Sequence, residues 1–404
     1  MICGLLGEKL GHSYSPQIHS MLGGYEYRLF ERESSELDAF FADTKWQGVN
    51  VTIPYKRSAM SYCDFISERA QRIGCVNTIV RRNGKLYGYN TDYDGFLALV
   101  RLSGLELSGK KALILGSGGA SLTAQCVLRE LGAEPVVISR SGENKYENIY
   151  EHKDALLLVN ASPVGMYPNN GECKTELARL PSLRCVLDLV YNPMRTRLML
   201  DAQRLGIKAL GGLHMLVAQA AAASSLFTGA EPEHSETEIY SAIEREMQNI
   251  ILIGMPGSGK STVGAALAAR LGRKFIDIDD EIVRAEGVSI PEIFARGGED
   301  EFRTVEHRVL ERFTRLSGAV IASGGGAVTR EDNIDLLRQN SYVVWLRRDL
   351  DKLPTDGRPL SQRGSLEAMY ARRRPLYEAA SDFPADNNGT VSETVEAIIG
   401  EICR

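Results

Sequence analysis

Along this chain, short continuous apolar runs alternate with amphipathic stretches, and neither a period of 2 nor one of 3.6 holds throughout. That mixture predicts layered α/β architecture. Asn249-Ile-Ile-Leu-Ile-Gly254 is an apolar run that ends on glycine and leads into Met-Pro-Gly257-Ser258-Gly259-Lys260-Ser261-Thr262. It reads as a strand buried on both faces, a glycine loop and a helix start. Lys110-Lys-Ala-Leu-Ile-Leu115 repeats the form: it runs into Gly116-Ser117-Gly118-Gly119-Ala120, then an apolar helix ending near Leu131-Gly132, then a second strand from Pro135 to Arg140. Strand, glycine turn, helix and strand within about thirty residues form a βαβ unit of the dinucleotide-binding kind. Further strands are predicted from Ala155 to Asn160 and from Cys185 to Val190, and an alanine-rich helix from Leu213 to Phe227. Before them, Gly48-Val-Asn50-Val-Thr52-Ile-Pro54 reads as a strand closed by proline.

The loop at 254–261 belongs at the start of a domain, yet much of the chain precedes it. Two modules are therefore expected, 1–247 and 248–404, as a length of 404 residues also suggests. The first divides into a mixed α/β part, 1–95 with about 213–247, and a Rossmann part, 96–212. The second is a P-loop parallel-sheet domain with a lid. Ile239, Ile243 and Met247 recur at helical spacing in a polar stretch, so the modules are joined by a closing helix.

Composition narrows the class. With 44% hydrophobic and 25% charged residues, no apolar run approaches the ~18 residues of a membrane span. Charge cuts off the apolar start Met1-Ile-Cys-Gly-Leu-Leu-Gly-Glu-Lys9, with no basic leader, and a cytoplasmic location is expected. Seven cysteines lack Cys-x-x-Cys pairing or nearby histidines, which points to neither a disulfide framework nor a zinc site. A net charge of −5 leaves no footprint for nucleic acid, although Arg372-Arg373-Arg374 can serve small anions.

The chemistry begins with Gly254-x-x-x-x-Gly259-Lys260-Ser261, which fits the P-loop pattern at every fixed position. Backbone N–H groups of such a loop, here including Gly257, Ser258 and Thr262, cradle phosphates. Lys260 neutralises the β and γ groups and the Ser261 hydroxyl ligates Mg²⁺. The turn at 116–120 is weaker evidence, because packing alone produces such turns. Arg140 strengthens it. An NAD enzyme carries an acid at the end of the second strand, whereas Arg140 between Ser139 and Ser141 suits a 2′-phosphate and favours NADP. The bland alternative is a solvated arginine at a strand end.

Several segments appear in a fixed order: His12-Ser13-Tyr-Ser15-Pro16-Gln-Ile-His19, Asn50-Val-Thr52-Ile-Pro54-Tyr-Lys56, Gly74-Cys-Val-Asn77-Thr78 and Gly88-Tyr-Asn90-Thr91-Asp92-Tyr-Asp-Gly95. Asn160-Ala-Ser-Pro-Val-Gly165-Met166, Asp188-Leu189-Val-Tyr191-Asn-Pro193 and Gly211-Gly212-Leu-His-Met215-Leu-Val-Ala-Gln219 follow. Together they resemble shikimate dehydrogenase over most of residues 1–247. The resemblance implies that Lys56 and Asp92 are catalytic and that Ser13, Ser15, Asn50, Thr52, Asn77, Tyr191 and Gln219 hold the substrate. Leu189 and Gly212 would join residues 116–120 and 139–141 at the cofactor. The residue types make sense: hydride transfer to a ketone develops negative charge on oxygen, which a placed ammonium stabilises and protonates. Singly, Asn77 and Asn90 could be turn residues, Asp92 a helix cap and Lys56 a surface charge; their joint order argues otherwise. Two features depart from the family pattern. The cofactor segment reads Ser139-Arg140-Ser141 where Asn-Arg-Thr is usual, and the stretch between Arg140 and Asn160 is short.

Downstream of the P-loop, Phe275-Ile-Asp277-Ile-Asp279, Phe302-Arg303-x-x-Glu306, Ser323-Gly324-Gly325-Gly326-Ala327, Asp356-Gly-Arg358-Pro-Leu360 and Arg373-Arg-Pro375-Leu-Tyr377 resemble shikimate kinase over residues 249–404. The resemblance implies Asp277 near Mg²⁺, Asp279 as acceptor of the attacking hydroxyl's proton, Arg303 and Arg373 on the substrate carboxylate, Gly325 at the substrate and Arg358 in a lid over ATP. The usual base of the adenine loop is missing near Asn387-Asn388-Gly389. The implied whole is a bifunctional enzyme using NADP(H), ATP and Mg²⁺, with small-molecule partners, no nucleic acid and no membrane, as a monomer or homodimer. An NAD-linked quinate dehydrogenase fused to a kinase, or one half acting as a ligand sensor, are the alternatives.

Overall fold

The computed structural model describes residues 1–11, 13–353 and 366–403. It divides into two units, Met1–Glu244 and Arg245–Arg404.

In the first unit a six-stranded sheet is built from β1 (Ile2–Gly7), β2 (Glu26–Glu31), β3 (Gly48–Val51), β4 (Phe65–Ile66), β5 (Thr78–Arg82) and β6 (Lys85–Tyr89), in the order β2-β1-β3-β5-β6-β4. β5 runs antiparallel to both β3 and β6, and the other pairings are parallel. The aromatic run Phe40, Phe41, Trp46 and Tyr55 packs with Val49, Val51 and Ile79 into one core on this sheet. Helices α1 (Ser15–Leu22), α2 (Leu37–Ala42) and α3 (Glu68–Ile73) connect the strands, and α4 (Asp92–Ser103) leads out of the sheet.

A second, all-parallel sheet follows: β7 (Lys111–Leu115), α5 (Gly119–Glu130), β8 (Glu134–Ile138), β9 (Leu157–Asn160), β10 (Cys185–Asp188), α6 (Arg197–Arg204) and β11 (Lys208–Gly211). Its strands are apolar without alternation because both faces are buried: Ala112 and Ile114 enter one core, Leu113 and Leu115 another. The order β11-β10-β9-β7-β8 reverses between β7 and β9, so a crevice opens at the carboxyl ends of those strands. The short stretch after Arg140 holds only a 3₁₀ turn, Ile149–Glu151, and leaves β8 as an edge strand. α7 (Leu213–Thr228) packs back on the first sheet through Ala223 and Phe227. It also lies against α4, where a side chain on Gly95 would press on the Met215 carbonyl. α8 (Glu236–Met247) is the helix expected from the spacing of Ile239, Ile243 and Met247, and all three are buried.

The second unit is one parallel sheet: β12 (Asn249–Ile253), α9 (Lys260–Leu271), β13 (Phe275–Asp277), α10 (Ile278–Glu286), α11 (Ile290–Thr314), β14 (Val320–Ala322), α12 (Glu331–Gln339), β15 (Ser341–Arg347), α13 (Leu366–Ala380), β16 (Phe383–Asp386) and α14 (Val391–Ile402). The order β13-β14-β12-β15-β16 puts β12 at the centre, with Ile251 and Ile253 in one core and Ile250 and Leu252 in the other. α11 is interrupted at Gly298, which has φ 72°. No helix among the described residues is long and apolar enough to cross a membrane.

Candidate active sites

In the first unit a cavity of about 230 Å³ gathers Ser13, Ser15, Asn50, Thr52, Lys56, Asn77, Asp92, Tyr191 and Gln219, every residue expected at the substrate or the chemistry. They arrive from separate elements: the start of α1, the end of β3, the segment before β5, the start of α4, the loop after β10, and α7. The turn after β3 is held by Tyr55 N donating to Thr52 O at 2.9 Å and Val76 N donating to Lys56 O at 2.9 Å. Lys56 Nζ thereby reaches Asp92 Oδ2 at 2.5 Å, with the side chains 22% and 10% exposed. Asp92 is the first residue of α4 and Thr91 occupies the cap position.

The polar wall is ordered by its own hydrogen bonds. Asn77 Oδ1 accepts from Thr91 N at 2.6 Å, and Asn77 Nδ2 donates to Thr91 Oγ1 at 3.1 Å. Asn50 Nδ2 donates to Thr78 Oγ1 at 3.0 Å, and Tyr27 OH donates to Asn50 Oδ1 at 2.8 Å. These bonds fix which end of each amide faces the cavity. Tyr27 and His19 support the site but had no role in the sequence reading. The His19 ring stacks on Tyr27 with centroids 3.8 Å apart, and its Nδ1 lies 2.6 Å from Tyr25 OH. Complete burial holds this imidazole neutral, with a pKa lowered to about 3. Only the register of β2 against β1 reveals that support.

At the crevice of the second sheet, Gly118 caps α5 without a side-chain hydrogen bond, so the first N–H groups of that helix remain available to an anion. Gly116 to Ala120 are half-buried or exposed, and Ser139 is buried, while Arg140 and Ser141 are exposed beyond the end of β8. Ala120, Leu189 and Gly212, all expected at the cofactor, line the same cavity as Lys56. Beneath Leu189, fully buried Asp188 accepts from Thr196 Oγ1 at 2.6 Å and Asn160 Nδ2 at 2.9 Å. Burial raises its pKa to about 6, against those hydrogen bonds.

The second unit holds a cavity of about 1010 Å³, lined by Gly257, Gly259, Lys260, Ser261, Thr262, Asp277, Asp279, Arg303, Gly325 and Arg373 among others. Gly254 and Ser258 are not on its wall; they shape the loop. Lys260 Nζ donates to the Gly254 and Met255 carbonyls at 3.0 Å each, and Asn387 Nδ2 donates to Ser258 O at 2.6 Å. Arg358 lies outside the described residues.

Ser261 Oγ donates to Asp277 Oδ2 at 2.5 Å, while Asp277 Oδ1 caps α10 by accepting from Asp279 N at 3.0 Å. Two hard oxygens converging beside a phosphate loop fit a Mg²⁺ ion that takes its remaining ligands from water and phosphate. No cluster of three or more metal-ligating His, Cys, Asp or Glu occurs among the described residues. Burial, and then the neighbouring Asp277 charge, raises the Asp279 pKa, the direction that makes a carboxylate a better proton acceptor.

Close to Asp279, Arg303 Nη1 donates to Glu306 Oε2 at 2.6 Å and Nη2 to Glu299 Oε1 at 3.1 Å. Glu306 has no exposed surface and its Oε1 has no partner; burial pushes its carboxyl up despite the adjacent guanidinium. Arg373 is 2% exposed and donates through Nη1 to Gly325 O at 3.2 Å, which Tyr377 OH also reaches at 2.5 Å. A side chain at Gly325 would stand 2.8 Å from Pro256, so the loops approach this closely only with glycine there. Arg348, Lys352 and Phe294 also line this cavity, with no role expected for them from the sequence. The adjacent pair Arg347-Arg348 at a strand end was the available signal for the first; the other two carried none.

Residues 256–403 match the family model for shikimate kinase, and residues 5–79 that for the shikimate dehydrogenase substrate binding domain. The NADP(+) shikimate dehydrogenase of Clostridium beijerinckii is 36% identical over 269 residues, 61% of this chain and 98% of the relative. That of Methanopyrus kandleri is 37% identical over 57% of this chain and 91% of its own. Among solved structures, a chorismate mutase/shikimate 5-dehydrogenase fusion protein from Clostridium acetobutylicum aligns with a TM-score of 0.57 at 34% identity, covering 60% of this chain and 97% of that one. Shikimate 5-dehydrogenase from Thermus thermophilus, in complex with NADP(H) and shikimate, aligns with a TM-score of 0.56 at 32% identity, covering 61% and 99%. With a dehydrogenase matched over nearly its full length and a kinase domain following it, the chain belongs to the shikimate dehydrogenase family and is a bifunctional enzyme that carries a shikimate kinase domain at its C-terminal end.

Proposed function

We propose that residues 1–247 reduce 3-dehydroshikimate to shikimate with NADPH, and that residues 248–404 phosphorylate shikimate on its 3-hydroxyl with Mg·ATP. The observation that carries the first assignment is the Lys56–Asp92 pair inside a cavity walled by Ser13, Ser15, Asn50, Asn77, Tyr191 and Gln219. NADPH supplies the hydride. Lys56 stabilises the oxyanion that develops on the former ketone and gives it a proton, so that ketone, hydride and proton yield the alcohol. Asp92 holds Lys56 in line and accepts from a ring hydroxyl. Ser13 and Ser15 donate to the substrate carboxylate. Arg140 and the two flanking serines favour the 2′-phosphate of NADP.

In the second unit Arg303 and Arg373 hold the substrate carboxylate, and Asp279 accepts the proton of the attacking hydroxyl. Lys260 swings from its loop carbonyls to the transferring phosphate. Ser261 and Asp277 would hold the Mg²⁺ ion, which would offset charge on the phosphate oxygens as the new P–O bond to the hydroxyl forms and ADP leaves. The product of the first reaction is then the substrate of the second. A steady-state assay tests both: NADPH oxidation with 3-dehydroshikimate, then formation of shikimate 3-phosphate on adding ATP and Mg²⁺. Silence in either step would reduce that half to a binding module, and equal rates with NADH would sink the NADP assignment.

A further inference from the structure

Among the described residues, five cationic side chains line the cavity of the second unit: Lys260, Arg303, Arg348, Lys352 and Arg373. Four are engaged. Lys260 is bound to two loop carbonyls, Arg303 to Glu306 and Glu299, Arg373 to Gly325 O, and Lys352 to Asp349 at 3.4 Å. The Nε atoms of Arg303, Arg348 and Arg373 are all buried without an acceptor, but Arg348 differs in its outer nitrogens: among the described residues none accepts a hydrogen bond or ion pair from them. Its outer N–H groups border the cavity without an acceptor in the protein, and a bound anion would supply one.

Geometry says which anion. Arg348 Nη1 lies 3.7 Å from the side-chain position on Gly259, the residue that caps α9 and ends the glycine loop. Arg347, one residue earlier, instead lies over the Trp345 ring at 5.4 Å and is exposed, so the chain leaving β15 turns only the second arginine toward the loop. The carboxylate-binding pair, Arg303 and Arg373, clusters elsewhere, around Glu306 and Gly325. Stacking on a base would occupy the guanidinium face and leave the outer in-plane N–H groups without an acceptor, whereas a phosphate oxygen at the end of the glycine loop can accept from Nη1. We infer that Arg348 binds the phosphate chain of the nucleotide, as a second cation beside Lys260.

The inference rests on the kinase reading above, and its test separates the two. In the full chain, Arg348→Gln and Arg348→Lys are compared with the parent for binding of ADP and of inorganic tripolyphosphate by calorimetry, and for KM of ATP and of shikimate. The expected result is a roughly ten- to hundredfold weaker binding of both ADP and tripolyphosphate in Arg348→Gln. Arg348→Lys should recover part of it, with KM for shikimate unchanged. Unchanged binding overturns the inference alone, as does a loss for ADP without one for tripolyphosphate, which would make Arg348 a base contact. A parent chain that binds no ADP overturns the kinase reading and the inference together. Should Arg348→Gln fail to fold, as judged by Trp345 emission in a Trp46→Phe background, the Arg348→Lys comparison decides: no weakening of either ligand overturns the inference.

Discussion

Lys56 Nζ and Asp92 Oδ2 stand 2.5 Å apart although their residues are 36 positions apart in the chain. The turn after β3 delivers one and the start of α4 the other, and both side chains are largely shielded from water. An ammonium held in place by a carboxylate is positioned to stabilise negative charge that develops on a substrate oxygen and to deliver a proton to it. Lys56→Ala is expected to lower NADPH-dependent reduction by about 10²- to 10⁴-fold while leaving ATP-dependent phosphorylation intact. Absorbance of NADPH and a phosphate-transfer assay on the same preparation check it; loss of both activities would mean the two units depend on each other to fold.

Ser261 and Asp277 converge through a 2.5 Å hydrogen bond at the wall of the larger cavity. Ser261→Ala removes one of the two oxygens proposed for Mg²⁺. Phosphorylation should fall at least about tenfold, and the Mg²⁺ concentration for half-maximal rate should rise. A variant with an unaltered Mg²⁺ titration would remove Ser261 from the metal site.

Glu306 is fully buried against Arg303, so removing the arginine strands an acid without its partner. Arg303→Leu should cost the second unit about 3 kcal/mol of stability, and Arg303→Leu with Glu306→Leu should recover part of it. The two tryptophans make this measurable, since Trp46 lies in the first unit and Trp345 in the second, both buried. Urea unfolding followed by Trp345 emission in a Trp46→Phe background reads the second unit alone.

His19 titrates at about 3 in the folded protein, below its ordinary 6.5. Above pH 6.5 neither state carries the proton and the full stability is present. As pH falls from 6.5 toward 3, the unfolded chain takes up a proton that the folded one refuses, so stability is lost by at most about 1.4 kcal/mol per pH unit. His19→Gln, which cannot titrate, should flatten that slope when Trp46 emission is followed in a Trp345→Phe background. An unchanged slope would place the acid sensitivity elsewhere.

Arg140 is exposed where the proposed 2′-phosphate would lie. Arg140→Asp should lower kcat/KM for NADPH by roughly tenfold or more and spare or improve that for NADH. If both cofactors lose equally, the residue contributes to something other than the choice between them.

Much of the fold is legible from local pattern. β7 and β12 are continuous apolar strands that run into glycine loops, and the helices that follow start within a few residues, so covalent neighbours carry the whole signal. The shortness of the stretch after Arg140 is visible in the sequence, but its consequence, β8 at the sheet edge beside a 3₁₀ turn, shows only in the fold. The polar residues lining the smaller cavity are those the order of the segments points to, whereas apolar Leu5, Val51, Met215 and Leu216 join the lining only through the fold. His19 and Tyr27 were not given their supporting roles, because their contact depends on the pairing of β2 with β1 and on the packing of α1, and no local spacing encodes that.

From the linear order of residues alone follow the two modules, the two glycine loops, the residue types available for proton and phosphate chemistry, and the resemblance to two enzyme families. Tertiary structure decided which of those residues meet: the 230 Å³ cavity uniting Ser13 with Gln219, the pairing of Arg303 with buried Glu306, and the turn of Arg348 toward Gly259. The reason is geometric. Strand order and helix return set the distances between residues far apart in the chain, and burial then sets what each charge must find as a partner.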